Sequence, residues 1–169
     1  DHETLSNQLL SMGDTMFVET MSFKGLQKRS KKTEKNEKGR FKKKKRFGRT
    51  LSNRAPSMLV SCLERKLKYH GLKLNKVNTA KVKASQYNHF DDTYTKKPLN
   101  KRWNDFNGII VQRDLYSSFL LMNMVHDKDL DKIDRDLCFK TFDLFLQHHD
   151  ELISKLKKEP HTLKSMGIR

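Results

Sequence analysis

Two acids in this chain stand at positions where their neighbours offer each more than one use. Glu19 closes the apolar run "MFVE", and Asp114 follows "GIIVQR" and opens the helical pattern "DLYSSFLLM". Paired carboxylates from separate elements are what two-metal phosphodiester hydrolysis requires, because two divalent ions roughly 3.5–4 Å apart stabilise both the attacking and the leaving oxygen. Hard oxygen donors of this kind suit magnesium or manganese, with waters completing the shells. Each acid also has a purely structural use. A Glu at a strand end is solvated or ion-paired, and an Asp before an apolar helix caps free amide donors. On spacing alone the structural uses carry more weight.

The cations are placed unevenly. The formal net charge is +16, and between Lys28 and Arg49 there are 13 Lys and Arg against only Glu34 and Glu37. A surface of that sign attracts polyphosphate, since each neutralised phosphate releases condensed counterions. Nucleic acid is the expected partner, and the basic run has too few apolar residues for a membrane anchor. Phe41 and Phe47 interleave with Lys42, Lys43, Lys44, Lys45 and Arg46, a pattern that suits base stacking together with phosphate contact. Lys24, Lys28, Arg29, Lys42 to Arg46 and Arg49 are the candidate backbone-binding cations. Arg113, beside Asp114, pairs with a scissile phosphate in one reading and forms a surface ion pair in the other.

These residues need elements to hold them. Leu5, Leu9 and Met12 share one face of an opening helix that Gly13 can end. A strand is expected from Thr15 to Thr20, its Met16-Phe17-Val18 run suited to burial on both faces. Residues 21–53 read as a basic insertion with almost no apolar periodicity, expected to be a mobile or ligand-ordered loop. A helix follows from Arg54, with Pro56 in its first turn and Ala55, Met58, Cys62, Leu63 and Leu67 at helical spacing, stopping near Gly71. "LKLNKVNT" then reads as a strand, and strand, helix, strand in that order points to an α/β layer. Residues 80–108 are expected to be irregular, anchored by Trp103 and Phe106. "GIIV" is strand-like, Asp114 opens a helix through Phe119 and Val125, and Leu130 to Leu156 reads as one long amphipathic helix ending before Pro160.

Cys62 and Cys138 fall inside helical apolar patterns, as small core residues, and no cysteine cluster has zinc-ligand spacing. No apolar run has membrane-spanning length, and no signal-peptide pattern opens the chain.

"FVETMSFKGLQKR" resembles the second RuvC motif of the TnpB (OrfB) proteins, which belong to a family of bacterial transposons and are related to type V CRISPR effectors. Glu19 stands at the ligand position and Thr20 replaces the usual acidic neighbour. "RAPSMLVSCLERKLKYHGLKLNKVNT" is similar to the helix–Gly–strand that follows in that family. "VQRDLYSSFLLMN" is similar to the third RuvC motif, which puts Asp114 on its carboxylate and Tyr116-Ser117-Ser118 where Asn-Ala-Ala is usual. The three fall in the family's order between about Leu5 and Asn123.

The resemblance implies a partial RNase H-like (RuvC) α/β domain with a long C-terminal helix. Its segments would be 1–20 (second motif), 21–53 (basic insertion), 54–79 (helix and strand), 80–108 (zinc-ribbon position), 109–126 (third motif) and 127–169 (helical tail). It implies two-metal cleavage of DNA guided by RNA, with Glu19 and Asp114 on magnesium, guide RNA and target DNA as partners, and a bacterial cytoplasmic, nucleoid-associated protein of transposition. In such systems base pairing selects the sequence and the protein supplies a positive channel. Two departures stand out. The zinc ribbon's two Cys-x-x-Cys pairs are missing from "KASQYNHFDDTYTKKPLNKRWNDFNG", so no zinc is expected there, and His89 reads as a surface or capping residue. The first RuvC carboxylate is expected on a strand before Asp1, leaving these 169 residues inactive alone. The alternative is a nuclease-inactive, repressor-like relative that binds DNA through the guide without cutting it. A basic module that binds nucleic acid with no guide is a third class, and it requires Glu19 and Asp114 to lie far apart.

Overall fold

The computed structural model describes residues 1–28, 33–42, 48–98, 100–160 and 163–168. The elements are α1 (His2–Ser11), β1 (Met16–Glu19), α2 (Phe23–Gln27), α3 (Gly48–Arg54), α4 (Pro56–Tyr69), β2 (Leu74–Val77), α5 (Thr79–Val82), β3 (Tyr87–Asn88), β4 (Thr93–Tyr94), β5 (Trp103–Phe106), β6 (Ile109–Gln112), α6 (Arg113–Met122) and α7 (Arg135–Lys158), then a 3-10 turn at Lys164–Met166. The strands form three two-stranded sheets, β1 with β2, β3 with β4 and β5 with β6, so the chain is of mixed α/β class. Among the described residues no helix is long and apolar enough to cross a membrane. The chain divides into two compact units, residues 1–16 with 20–75, and residues 17–19 with 76–169.

In the first unit a lysine of α4 ties that helix to α1. Lys66 Nζ donates to the Glu3 carbonyl (3.0 Å), Ser6 Oγ (2.8 Å) and Asn7 Oδ1 (2.6 Å), and it pairs with the Glu3 carboxylate. Bonds from Lys66, Arg65 and Cys62 hold the Glu3 carboxyl down at about 2. The expected Leu5–Leu9–Met12 face is only partly packed: Leu9 is half-buried, while Leu5 is exposed, Met12 is 82% exposed and Ser6 is fully buried. Lys66 reaches the face of α1 that carries Glu3, Ser6 and Asn7. Cys62, Leu63 and Leu67 of α4 are buried as their spacing predicts. The basic insertion is not structureless, since it holds α2, α3 and a tight turn around Asn36.

The second unit has the larger core: Val77, Val82, Ala84, Tyr87, Phe106, Val111, Tyr116, Phe119, Leu120, Met124, Cys138 and Phe142, with Phe17 of β1 packed against it. Burial pushes the Cys138 thiol up to about 12, as expected of an inert core cysteine. The segment 80–108, expected to be irregular, is largely built. Asn78 caps α5 through its side chain, Tyr87 pairs with Tyr94 across β3 and β4, and β5 and β6 form a tight hairpin. The hairpin loop is Asn107-Gly108, both at positive φ (53° and 94°), the turn whose twist matches antiparallel strands. Phe106 is in the core as expected, and Trp103 is half-buried.

The long helix starts five residues later than its periodicity suggests. Leu130 has φ 46°, the Asp127 carboxylate accepts from the amides of Asp129 and Leu130, and Ile133 bridges to Met124. Asp134 is the true cap, accepting from Leu137 N at 2.9 Å. The buried face is Cys138, Phe142, His149 and Ile153, which leaves Leu152 exposed.

His89 departs furthest from expectation. It is 0% exposed, not a surface residue, with its ring among Phe90, Tyr116, Phe119, Phe139 and Phe142. Its Nδ1 lies 2.7 Å from Tyr116 Oη, and its carbonyl accepts from Arg135 Nε at 2.6 Å. Tyr116 Oη also accepts the His89 amide at 3.2 Å, and among the described residues the buried Nε2 has no hydrogen-bond partner.

Burial, with the Arg135 charge behind it, lowers the imidazole pKa to about 4. Between the ordinary His value and that one, the unfolded chain binds the extra proton, so stability is full above pH 6.5 and falls as the pH drops towards 4. This group alone should cost up to about 3 kcal/mol across that window. Urea unfolding at pH 7, 6, 5 and 4 measures it, and His89→Gln should flatten the profile. An unchanged slope in the variant would place the acid sensitivity elsewhere.

Candidate functional site

Glu19 and Asp114 lie in the same compact unit. Glu19 is the last residue of β1 and is half-buried, and desolvation raises its carboxyl pKa. Among the described residues no side-chain hydrogen bond or ion pair offsets that charge.

Asp114 is the second residue of α6, and it is not the cap. Gln112 is: its Oε1 accepts from Asp114 N (2.7 Å) and Leu115 N (2.8 Å). The capping use for Asp114 is thereby removed, and its carboxylate, on a side chain 45% exposed, is turned to other partners. These are Gln112 Nε2 at 3.3 Å, Arg113 Nε at 3.6 Å and Arg102 Nη1 at 3.9 Å. An acid in the first turn also sits well in the field of the helix N-terminus.

Arg113 is not a surface ion pair. Its side chain is 9% exposed, with Nη1 3.4 Å from the Pro98 carbonyl, and its Nε is a buried donor without a hydrogen bond. The more accessible guanidinium beside Asp114 belongs to Arg102, which the sequence reading missed. Gln112 was missed too, because a glutamine is not an expected cap. One signal for the region was legible: Asn-Gly between "WNDF" and "IIVQ" marks the hairpin that presents both residues.

Gln112 does more than cap. Fully buried, it donates from Nε2 to the Met166 carbonyl (3.1 Å), and its backbone amide donates to His149 Nε2 (2.9 Å). Trp103 Nε1 donates to the Gly167 carbonyl at 3.0 Å, and Ile168 is buried. Gly167 has φ +73°, and a Cβ there would come within 2.8 Å of Arg102 Cβ. The final residues thus lie as a strap across β5 and β6, against the two residues that flank Asp114.

Of the candidate cations, Lys24, Lys28, Lys42 and Arg49 are exposed residues of the first unit. Arg29, Lys43, Lys44, Lys45 and Arg46 lie outside the described residues. Among the described residues no group of three or more His, Cys, Asp or Glu is gathered as a metal site.

Two outcomes follow. A half-buried carboxylate whose folded pKa is raised costs stability above that pKa and nothing below its unfolded value. Glu19→Gln should therefore raise the melting temperature at pH 7, with the gain disappearing below about pH 4.5. Gln112→Ala should cost about 1–3 kcal/mol, since it leaves helix-start amides and a buried carbonyl unpaired. It should also free the strap, read as faster tryptic cutting at Lys164 under native conditions. Equal cutting rates would show that Gln112 does not hold the strap.

Comparison with models of known families, with curated proteins and with solved structures finds nothing that matches this chain.

Proposed function

We propose that these 169 residues are the C-terminal RuvC-like, RNase H-like portion of a transposon-encoded, TnpB-type RNA-guided DNA endonuclease. The observation that carries this reading is an uncompensated charge. Glu19 is a half-buried carboxylate without a cationic partner among the described residues, in the same unit as an Asp114 that Gln112 has relieved of capping. A carboxylate left unpaired among the described residues suits a site whose counter-charge is a bound cation. The ordered motif resemblance around both acids supports the same reading.

The donor chemistry fits magnesium, with Glu19 and Asp114 as its protein ligands and a third carboxylate from outside these residues. When bound, magnesium supplies neutralisation of the phosphodiester charge. The chain's own residues supply the rest. The Gln112 amide orients the Asp114 carboxylate, and the more accessible Arg102 guanidinium beside it attracts a phosphate. Lys24, Lys28, Lys42 and Arg49 hold guide RNA or target DNA by their phosphates, a salt-dependent contact. The bacterial cytoplasm and nucleoid are the setting this reading implies.

One observation favours the second reading, a nuclease-inactive guide-dependent DNA binder. Arg102 and Arg113 both lie within ion-pair reach of Asp114, which satisfies that carboxylate without a metal.

The full-length protein, purified with its RNA, decides between them in a cleavage assay with and without magnesium. The nuclease reading expects magnesium-dependent cutting that Glu19→Gln and Asp114→Asn each reduce by about 100-fold or more, several kcal/mol of transition-state stabilisation. Wild-type cutting in either variant overturns the assignment of that residue. Guide-dependent binding without any cutting selects the second reading.

A further inference from the structure

Residues 34–42 form a tight hairpin that neither carboxylate explains. The Glu34 carbonyl accepts from Lys42 N (2.8 Å), Lys35 bridges Phe41, and Asn36 N donates to the Arg40 carbonyl (2.8 Å). Asn36 Oδ1 closes the tip by accepting from Lys38 N (3.1 Å) and Arg40 N (2.9 Å), with Gly39 at φ +71°. With Gly39 N donating to the Asn36 carbonyl (2.9 Å), five hydrogen bonds from backbone amides and one bridge over nine residues make a built element, not a solvated charge run.

What the hairpin displays is unusual for a surface turn. Phe41 is 69% exposed, and Lys35 Nζ lies 5.1 Å from its ring centroid. Four cations stand against two carboxylates, of which Glu34 is engaged by Lys42 at 3.5 Å. Lys35, Asn36, Glu37, Lys38 and Lys42 line an open hollow on the same hairpin. An exposed aromatic face beside phosphate-binding cations matches one ligand chemistry, an unpaired base with its backbone. A duplex does not fit, because its base faces are covered by their neighbours.

We infer that the 34–42 hairpin is a stacking platform for single-stranded nucleic acid, in which Phe41 takes one unpaired base and Lys35, Lys38 and Arg40 hold the flanking phosphates. The inference rests on nucleic acid being this protein's partner, and it specifies the form: a single strand. RNA and DNA share the chemistry used here.

The test is a fluorescence-anisotropy titration of the whole protein with labelled oligodeoxythymidylate, oligouridylate and a duplex, each about 12 nucleotides long. Phe41→Ala should weaken single-strand binding roughly 5- to 150-fold, the size of one base–aromatic stack, with duplex binding unchanged. The salt slope should stay the same in Phe41→Ala and fall by about 0.7 in Lys38→Ala. Phe41→Trp should restore affinity, its added indole fluorescence quenched by bound base. The two single-strand arms identify RNA or DNA as the source. Unchanged single-strand binding in Phe41→Ala, or equal losses on single strand and duplex, overturns the inference. The titration is run without magnesium and reads binding alone, so a failed cleavage assay leaves this result standing, and a failed titration leaves the cleavage result standing.

Discussion

The buried side chain of Gln112 is the constraint on which the neighbourhood of Asp114 depends. A primary amide taken out of water costs several kcal/mol unless its atoms find partners. Here the oxygen accepts two helix-start amides and the nitrogen donates to the Met166 carbonyl and to Asp114. The backbone N–H of the same residue binds His149 Nε2, so His149 carries its ring proton on Nδ1, facing Asp150. One residue thus ties β6 to the start of α6, to α7 and to the strap at 163–168. Any movement of Asp114 relative to these has to break one of those bonds.

The chain treats its acids in two contrasting ways. Glu3 is exposed yet gathers Lys66, Arg65 and Cys62 around it, and its carboxyl is held far below the usual range. Glu19 is half-buried and has only desolvation acting on it, in the opposite direction. In a protein so rich in Lys and Arg this contrast is not a shortage of partners. Arg102 and Arg113 attend Asp114, so the two candidate ligands also differ from each other in how much of their charge the fold already answers.

What the sequence made legible were the elements governed by one local rule. Helix α4 showed itself through Cys62, Leu63 and Leu67, β1 through its apolar run, and α6 through the pattern after Asp114. What it hid were features in which a polar residue takes a role set by distant chain. Lys66 turned the polar face of α1 inward, and Tyr116 and Arg135 made a core residue of His89. Gln112 took the cap that Asp114 was expected to provide. Asp134 and the left-handed Leu130 moved the start of α7, because a cap outranks apolar periodicity in deciding where a helix begins. In each case the deciding partner lies outside the window in which periodicity is read, or is a side-chain bond that periodicity does not weigh.

The division of the chain carries a consequence for how the second unit is made. That unit takes only Phe17–Glu19 from the first third of the sequence, and the 56 residues at 20–75 then belong to the other unit. Closing a loop of that length has a length-dependent entropic cost of about 3–4 kcal/mol. Phe17 meets its core only after that cost is met, and Glu19 arrives with it. On a growing chain, Glu19 would be made early and seated late, after the residues that receive it have emerged. Contacts so far apart in sequence slow folding.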